Sequence, residues 1–201
     1  AASATKGAKK KKGNDKSKNN GGDRAFARLR RTCRRVADPH FWTDPLAVKA
    51  MLPGLAAALA QADPAGVEAY RAGAARFAGE LDRLNEKLVK QLEPVRGRAL
   101  VLFHPSFNYL MRRYDLKSAG VLEPIPGKTP TPRELLDLTR QIRQAGARAI
   151  GAEPQLPRRP AELLAEISGL NLIMLDPNGG DAGRQTYAEL LEYNGRALAE
   201  A

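Results

Sequence analysis

The sequence predicts an α/β fold: a doubly wound parallel four-stranded sheet flanked by helices, preceded by a long linker helix and a disordered basic tail. Three observations carry this reading. From Arg98 onward, short apolar runs alternate with helical periodicity four times, the pattern of parallel strands joined by right-handed crossover helices that cover both faces of a sheet. Ahead of that region, apolar residues recur every three or four positions from Val67 to Leu92, which is one face of a single long helix. The first 24 residues hold almost nothing apolar, and the next twelve are a basic stretch with a few apolar residues. The chain divides accordingly into a tail (1–36), a turn with the long helix (37–96) and an α/β lobe (97–201).

The tail opens with AASATKGAKKKKGNDKSKNNGGDR, too polar to bury the surface that would offset the entropy of ordering. AFARLRRTCRRV follows, and it reads as a solvated linker ahead of any surface for nucleic acid or anionic lipid. The whole net charge of +11 belongs here. Residues 1–36 carry thirteen Lys and Arg against two Asp, whereas residues 37–201 carry twenty of each sign.

At Asp38 the text changes character. DPHFWTDP is a turn-rich entry to a helix, with Thr43 or Asp44 as N-cap and Pro45 at the first helical position. LAVKAMLPGLAAALAQA continues that helix to Asp63, with Pro53-Gly54 expected to kink or split it. Asp63-Pro64 restarts the chain as the long helix, whose stripe is Val67, Tyr70, Ala74, Phe77, Leu81, Leu84, Leu88 and Leu92, and Glu93-Pro94 ends it. Beyond Gly97 come RALVLF as a strand, HPSFNYLMRRY as a helix, LKSAGVLE as a strand and TPRELLDLTRQIRQAG as a helix. RAIGA (strand), RPAELLAEISG (helix), LNLIML (strand) and GRQTYAELLEYNGRALAEA (helix) complete the lobe.

Several function classes are excluded or disfavoured. One cysteine, Cys33, forbids an internal disulfide framework, and two histidines, His40 and His104, are too few for a site of histidines and cysteines alone. No apolar run is read as approaching the roughly 18 residues of a membrane span, so the chain reads as soluble. Open parallel sheets bind ligands beyond the carboxyl ends of their strands. Here those ends carry His104, Glu153 and Asp176, each followed by a proline, and with His40 they make a set of imidazole and carboxylate donors suited to zinc or a similar divalent ion. Without thiolates the set describes an exchangeable or catalytic site in preference to a closed structural one. Ser106 lies in HPSF, not in a Gly-x-Ser-x-Gly elbow, so an enzyme is not expected. DPNGGDAG reads as a flexible loop, with an anion-binding turn as the lesser alternative.

DPHFWTDP, FHPSFNYLMRRYDL, IPGKTPTPRELLDL, AEPQ, and LDPNGG with TYAELLEYN follow in order the motifs of the metal-binding solute-binding proteins of bacterial zinc and manganese ABC importers. Residues 38 to 201 resemble the C-terminal part of that family, in which two α/β lobes are joined by a long rigid helix and hold the metal between them. The resemblance implies that His40, His104 and Asp176 match the second, third and fourth metal ligands, and that Glu153 accepts a ring N–H from a histidine. Histidine at the position of His104 implies Zn2+ ahead of Mn2+. Trp42 and Tyr114 are expected to pack and not to touch metal.

The same resemblance implies a divalent metal ion and a membrane ABC permease as partners, a monomer, and a periplasmic or cell-surface location. It also marks departures. The family's N-terminal lobe and first histidine have no counterpart, Cys33 follows no apolar run that would make it a lipid anchor, and the segment before DPHFW holds Lys and Arg but no His. The chain is therefore expected to be a fragment of a longer protein or a truncated paralogue with three of four ligands. A basic-tailed module that binds nucleic acid or an anionic surface, without metal, is the alternative, and nucleic acid is the less favoured partner.

Overall fold

Helix α1 (Pro45–Ala62) begins where the Asp44 side chain accepts a hydrogen bond from the Leu46 N–H at 2.9 Å, with Pro45 at its first position. These are features of a computed structural model that describes residues 38–125, 127–128 and 130–201. The basic tail with Cys33 lies outside the described residues. Of the two caps that the sequence offers, Asp44 serves, while Thr43 turns its hydroxyl back to the carbonyl of His40 at 2.9 Å.

Of the two outcomes expected at Pro53-Gly54, a split does not occur: α1 runs unbroken over 18 residues with Pro53 inside it. Pro53 and Gly54 face solvent. Meanwhile Val48 and Leu52, one turn apart on the other side, join Leu81 in one buried cluster that holds the helix across the break point. A second expectation needs amending. By length and composition alone α1 is apolar enough to cross a membrane, with a mean hydropathy of 1.3. In this fold it lies along α2 (Val67–Leu92), burying Val48, Leu52 and Ala56 and exposing Met51, Leu55 and Leu59.

The 26 residues of α2 span about 39 Å at 1.5 Å per residue. Its stripe splits by depth. Leu81, Leu84, Leu88 and Leu92 are buried, and the last three belong to the core of the sheet, each such leucine contributing about 2 kcal/mol.

The sheet consists of β1 (Ala99–Leu102), β2 (Lys117–Val121), β3 (Ala149–Ala152) and β4 (Asn171–Met174), all parallel, in the spatial order β2-β1-β3-β4. Alternation along β1 shows why both faces are covered. Leu100 and Leu102 point into a core shared with α2, α3 (Asn108–Arg113) and α6 (Tyr187–Ala199), whereas Ala99, Val101 and Phe103 point into a core shared with α4 (Pro132–Ala145) and α5 (Arg159–Ser168). Capping boxes start α4 at Thr131 with Glu134 and α6 at Thr186 with Glu189. The doubly wound parallel fold is as the alternation predicts. The strand order adds what alternation alone leaves open: the chain leaves β1 for one side and returns to the other, so β1 and β3 flank the topological switch point.

Candidate metal site

Three of the four expected site residues sit beyond the carboxyl ends of strands: His104 after β1, Glu153 after β3 and Asp176 after β4. The fourth, His40, arrives from the turn ahead of α1. That turn is fastened to the lobe by long-range bonds. Trp42 Nε1 donates to the Pro177 carbonyl at 2.9 Å, and Tyr187 donates its hydroxyl hydrogen to the Trp42 carbonyl at 2.7 Å. One turn later, Arg113 grips the buried carboxylate of Asp44 through Nε and Nη2 at 2.8–3.0 Å. Trp42 is thus a packing residue, as expected, and also a tie between the His40 turn and the loop after β4.

The structure brings the two histidines together. Their ring centroids lie 5.3 Å apart, edge to face, and the Trp42 ring also lies 5.3 Å from that of His40. His104 Nδ1 lies 3.4 Å from the carbonyl oxygen of Glu123. Glu153 is buried beside them. Its Oε1 accepts the Ser106 hydroxyl at 2.5 Å, a bond that bridges the switch point from β1 to β3. Burial pushes its carboxyl above the ordinary value of 4.5, while the Ser106 hydrogen bond and the charge of His40 pull back and Asp176 adds to the rise.

Asp176 is placed differently. It has no solvent exposure, and its backbone is clamped by Asn194 of α6, which accepts from the Asp176 N–H at 2.8 Å and donates to its carbonyl at 2.7 Å. Its Oδ1 accepts three hydrogen bonds: from Gln155 Nε2 at 2.7 Å and from the backbone N–H groups of Asn178 and Gly179 at 3.0 Å. Its Oδ2 faces the Arg184 guanidinium, with Nε at 3.0 Å. Burial alone would raise this carboxyl, but those hydrogen bonds and the charge of Arg184 outweigh it and hold the group below its ordinary value. Among the described residues, no three His, Cys, Asp or Glu side chains gather closely enough to hold a metal ion.

The loop read as flexible is therefore an ordered turn around an internal anion. Gly179 adopts φ +72°, and a side chain there would meet the Arg184 carbonyl at 2.7 Å. Gly180 N–H donates to that carbonyl, and Arg184 N–H to Asp181 O, both at 2.9 Å. The amides that sequence offered to an outside anion are spent on Asp176. Reading residues alone missed Arg184, although it is the one cation between Asp176 and the start of α6. Gln155 and Asn194 were visible only inside the quoted motifs AEPQ and TYAELLEYN, without roles.

The chain matches, over residues 1–201, the family described as ZnuA, zinc-uptake complex component A, periplasmic. It is 35% identical over 168 residues to the high-affinity zinc uptake system protein ZnuA of Paracoccus denitrificans, a match that covers 81% of this chain and 51% of that protein. The chain thus spans about half the length of the curated relatives it matches. Among solved structures, a crystal structure of ZnuA superposes with a TM-score of 0.73 at 31% identity, covering 83% of this chain and 63% of that one. The Zn(II)-bound AdcAII E280Q variant of Streptococcus pneumoniae superposes with a TM-score of 0.71 at 29% identity, covering 81% and 60%. With the family match running the length of the sequence and the α/β lobe shared with solved members, this chain belongs to the ZnuA family of periplasmic zinc-uptake components.

Proposed function

We propose that this chain captures a divalent metal ion, zinc before manganese, with His40, His104 and Asp176 as ligands, for delivery to a membrane ABC permease. It acts as a monomeric binding protein in the periplasm or at the cell surface and not as an enzyme. The observation that carries the reading is the pair of imidazoles at the switch point. A tetrahedral zinc with Zn–N bonds of about 2.0–2.1 Å sets the centroids of two ligating imidazoles about 5 Å apart, and His40 and His104 stand at 5.3 Å. Borderline-soft nitrogen donors favour zinc, whereas manganese favours oxygen. Glu153, buried and within reach of the charge of His40, steadies the imidazole side of the site.

A competition titration of the full chain against a chromogenic zinc chelator tests this. His104→Ala removes one of two nitrogen donors and is expected to weaken zinc binding by at least about tenfold. Superimposable curves for the parent and His104→Ala would remove the assignment.

A further inference from the structure

We propose that Arg184 is a tethered cation that competes with the captured metal for Oδ2 of Asp176, and so sets both the affinity and the metal preference of the site. The inference rests on the capture reading above. It starts from an asymmetry within one carboxylate. Oδ1 is saturated by three N–H donors, whereas Oδ2, equally buried, has the Arg184 Nε 3.0 Å away and makes no hydrogen bond. The Nε of Arg184 is likewise buried without one. The two atoms are close enough to attract but misdirected for N–H···O bonding, in a place where a directed bond would be worth most. A buried anionic oxygen held by charge without direction is a donor that another cation can take.

Arg184 has somewhere to go. Its Nη2 pairs with the exposed Asp181, and its guanidinium carbon lies 4.6 Å above the ring of Tyr193, so a guanidinium displaced from Oδ2 keeps one counter-ion and an aromatic face. The backbone of the turn is fixed independently by Gly179, Gly180 and Asp181, so on this side of the site the exchange moves the Arg184 side chain and not the loop, and the approach that brings all three ligands onto one ion falls to the histidine side chains. Asp176 stays anchored throughout by Asn194 and by its own Oδ1. The step conserves bonds: a divalent ion replaces a guanidinium at Oδ2, and no proton is transferred. While Arg184 holds Oδ2, the two proposed ligands left to an ion are imidazole nitrogens, which penalises an oxygen-preferring ion more than zinc.

Removing a competitor removes the fraction by which it lowers apparent affinity. Arg184→Gln is accordingly expected to tighten zinc binding about tenfold and manganese binding by a larger factor, in the same competition titration. In an Asp176→Asn background the gain should vanish. On the parent chain, the 15N-resolved Nε–H resonance of Arg184 should shift as zinc saturates the site, a readout that does not depend on any variant folding. Unchanged or weaker zinc binding by an Arg184→Gln protein with a parent-like circular dichroism spectrum overturns the proposal, as does an Arg184 Nε–H resonance that zinc leaves in place. If His104→Ala also binds like the parent, the capture reading fails as well; if His104→Ala is weakened while Arg184→Gln is neutral, only the competition fails.

Discussion

Two aspartates, one ahead of α1 and one in the α/β lobe, are buried against arginines, and they are held in opposite ways. Asp44 and Arg113 form a complete fork, with Nε and Nη2 directed at both carboxylate oxygens within 3.0 Å, and Oδ1 also caps α1. Asp176 and Arg184 lie as close, at 3.0 Å, yet share no hydrogen bond. The first pair joins the His40 turn to α3 and has no spare valence. The second joins a strand end to a turn and leaves one oxygen held by charge alone. Proximity of opposite charges thus says little about role; direction separates a fastening from an exchangeable contact.

Breaking the fork should show the larger effect on stability. Asp44→Ala removes a helix cap and leaves Arg113 without its partner, and about 2–3 kcal/mol of unfolding free energy is expected to go, less than a fully buried pair would lose because Arg113 is 37% exposed. Urea denaturation measures it. Arg184→Gln in the same assay should cost less, about 1 kcal/mol, because Oδ1 keeps its three donors. Equal losses for the two variants would erase the distinction drawn between the pairs.

The same contrast explains what could be read without a structure. Strand and helix alternation is a local signal, so the parallel sheet and the residues at its strand ends, His104, Glu153 and Asp176, were legible. The capping boxes of Thr131 with Glu134 and Thr186 with Glu189 are equally local patterns, yet the reading of the sequence passed over them and started the last helix at Gly183, four residues before Tyr187. Pro53 does not split α1 because a tertiary contact, Val48 and Leu52 against Leu81, overrides a local propensity. Arg184 went unread for a related reason: in sequence it is a cation in a glycine-rich loop, and only the left-handed backbone at Gly179 turns it onto a carboxylate eight positions back. Nor does periodicity reveal that β1 and β3 are neighbours, which is what lets Ser106 reach Glu153.

Glu153 and Asp176 sharpen the comparison on a smaller scale, since the two buried carboxyls are shifted in opposite directions. Asp176, held below its ordinary value of 3.8, contributes stability that is present above that pH and lost as pH falls through its lower folded value. Glu153 has the reverse sign. Its raised folded value means that its contribution is full below the ordinary 4.5 and declines as pH rises from there through the folded value, because folding then has to bury a charge that water would solvate. Glu153→Gln keeps an oxygen for the Ser106 hydroxyl and has no charge to bury. Relative to the parent it should gain stability progressively from about pH 4.5 upward and hold that gain at neutral pH, while the two proteins converge in acid. Urea midpoints taken across that range decide the matter. A difference that shrinks as pH rises would mean that the Ser106 bond and the neighbouring His40 outweigh burial, and would place Glu153 with Asp176 as a carboxylate the fold prefers ionised.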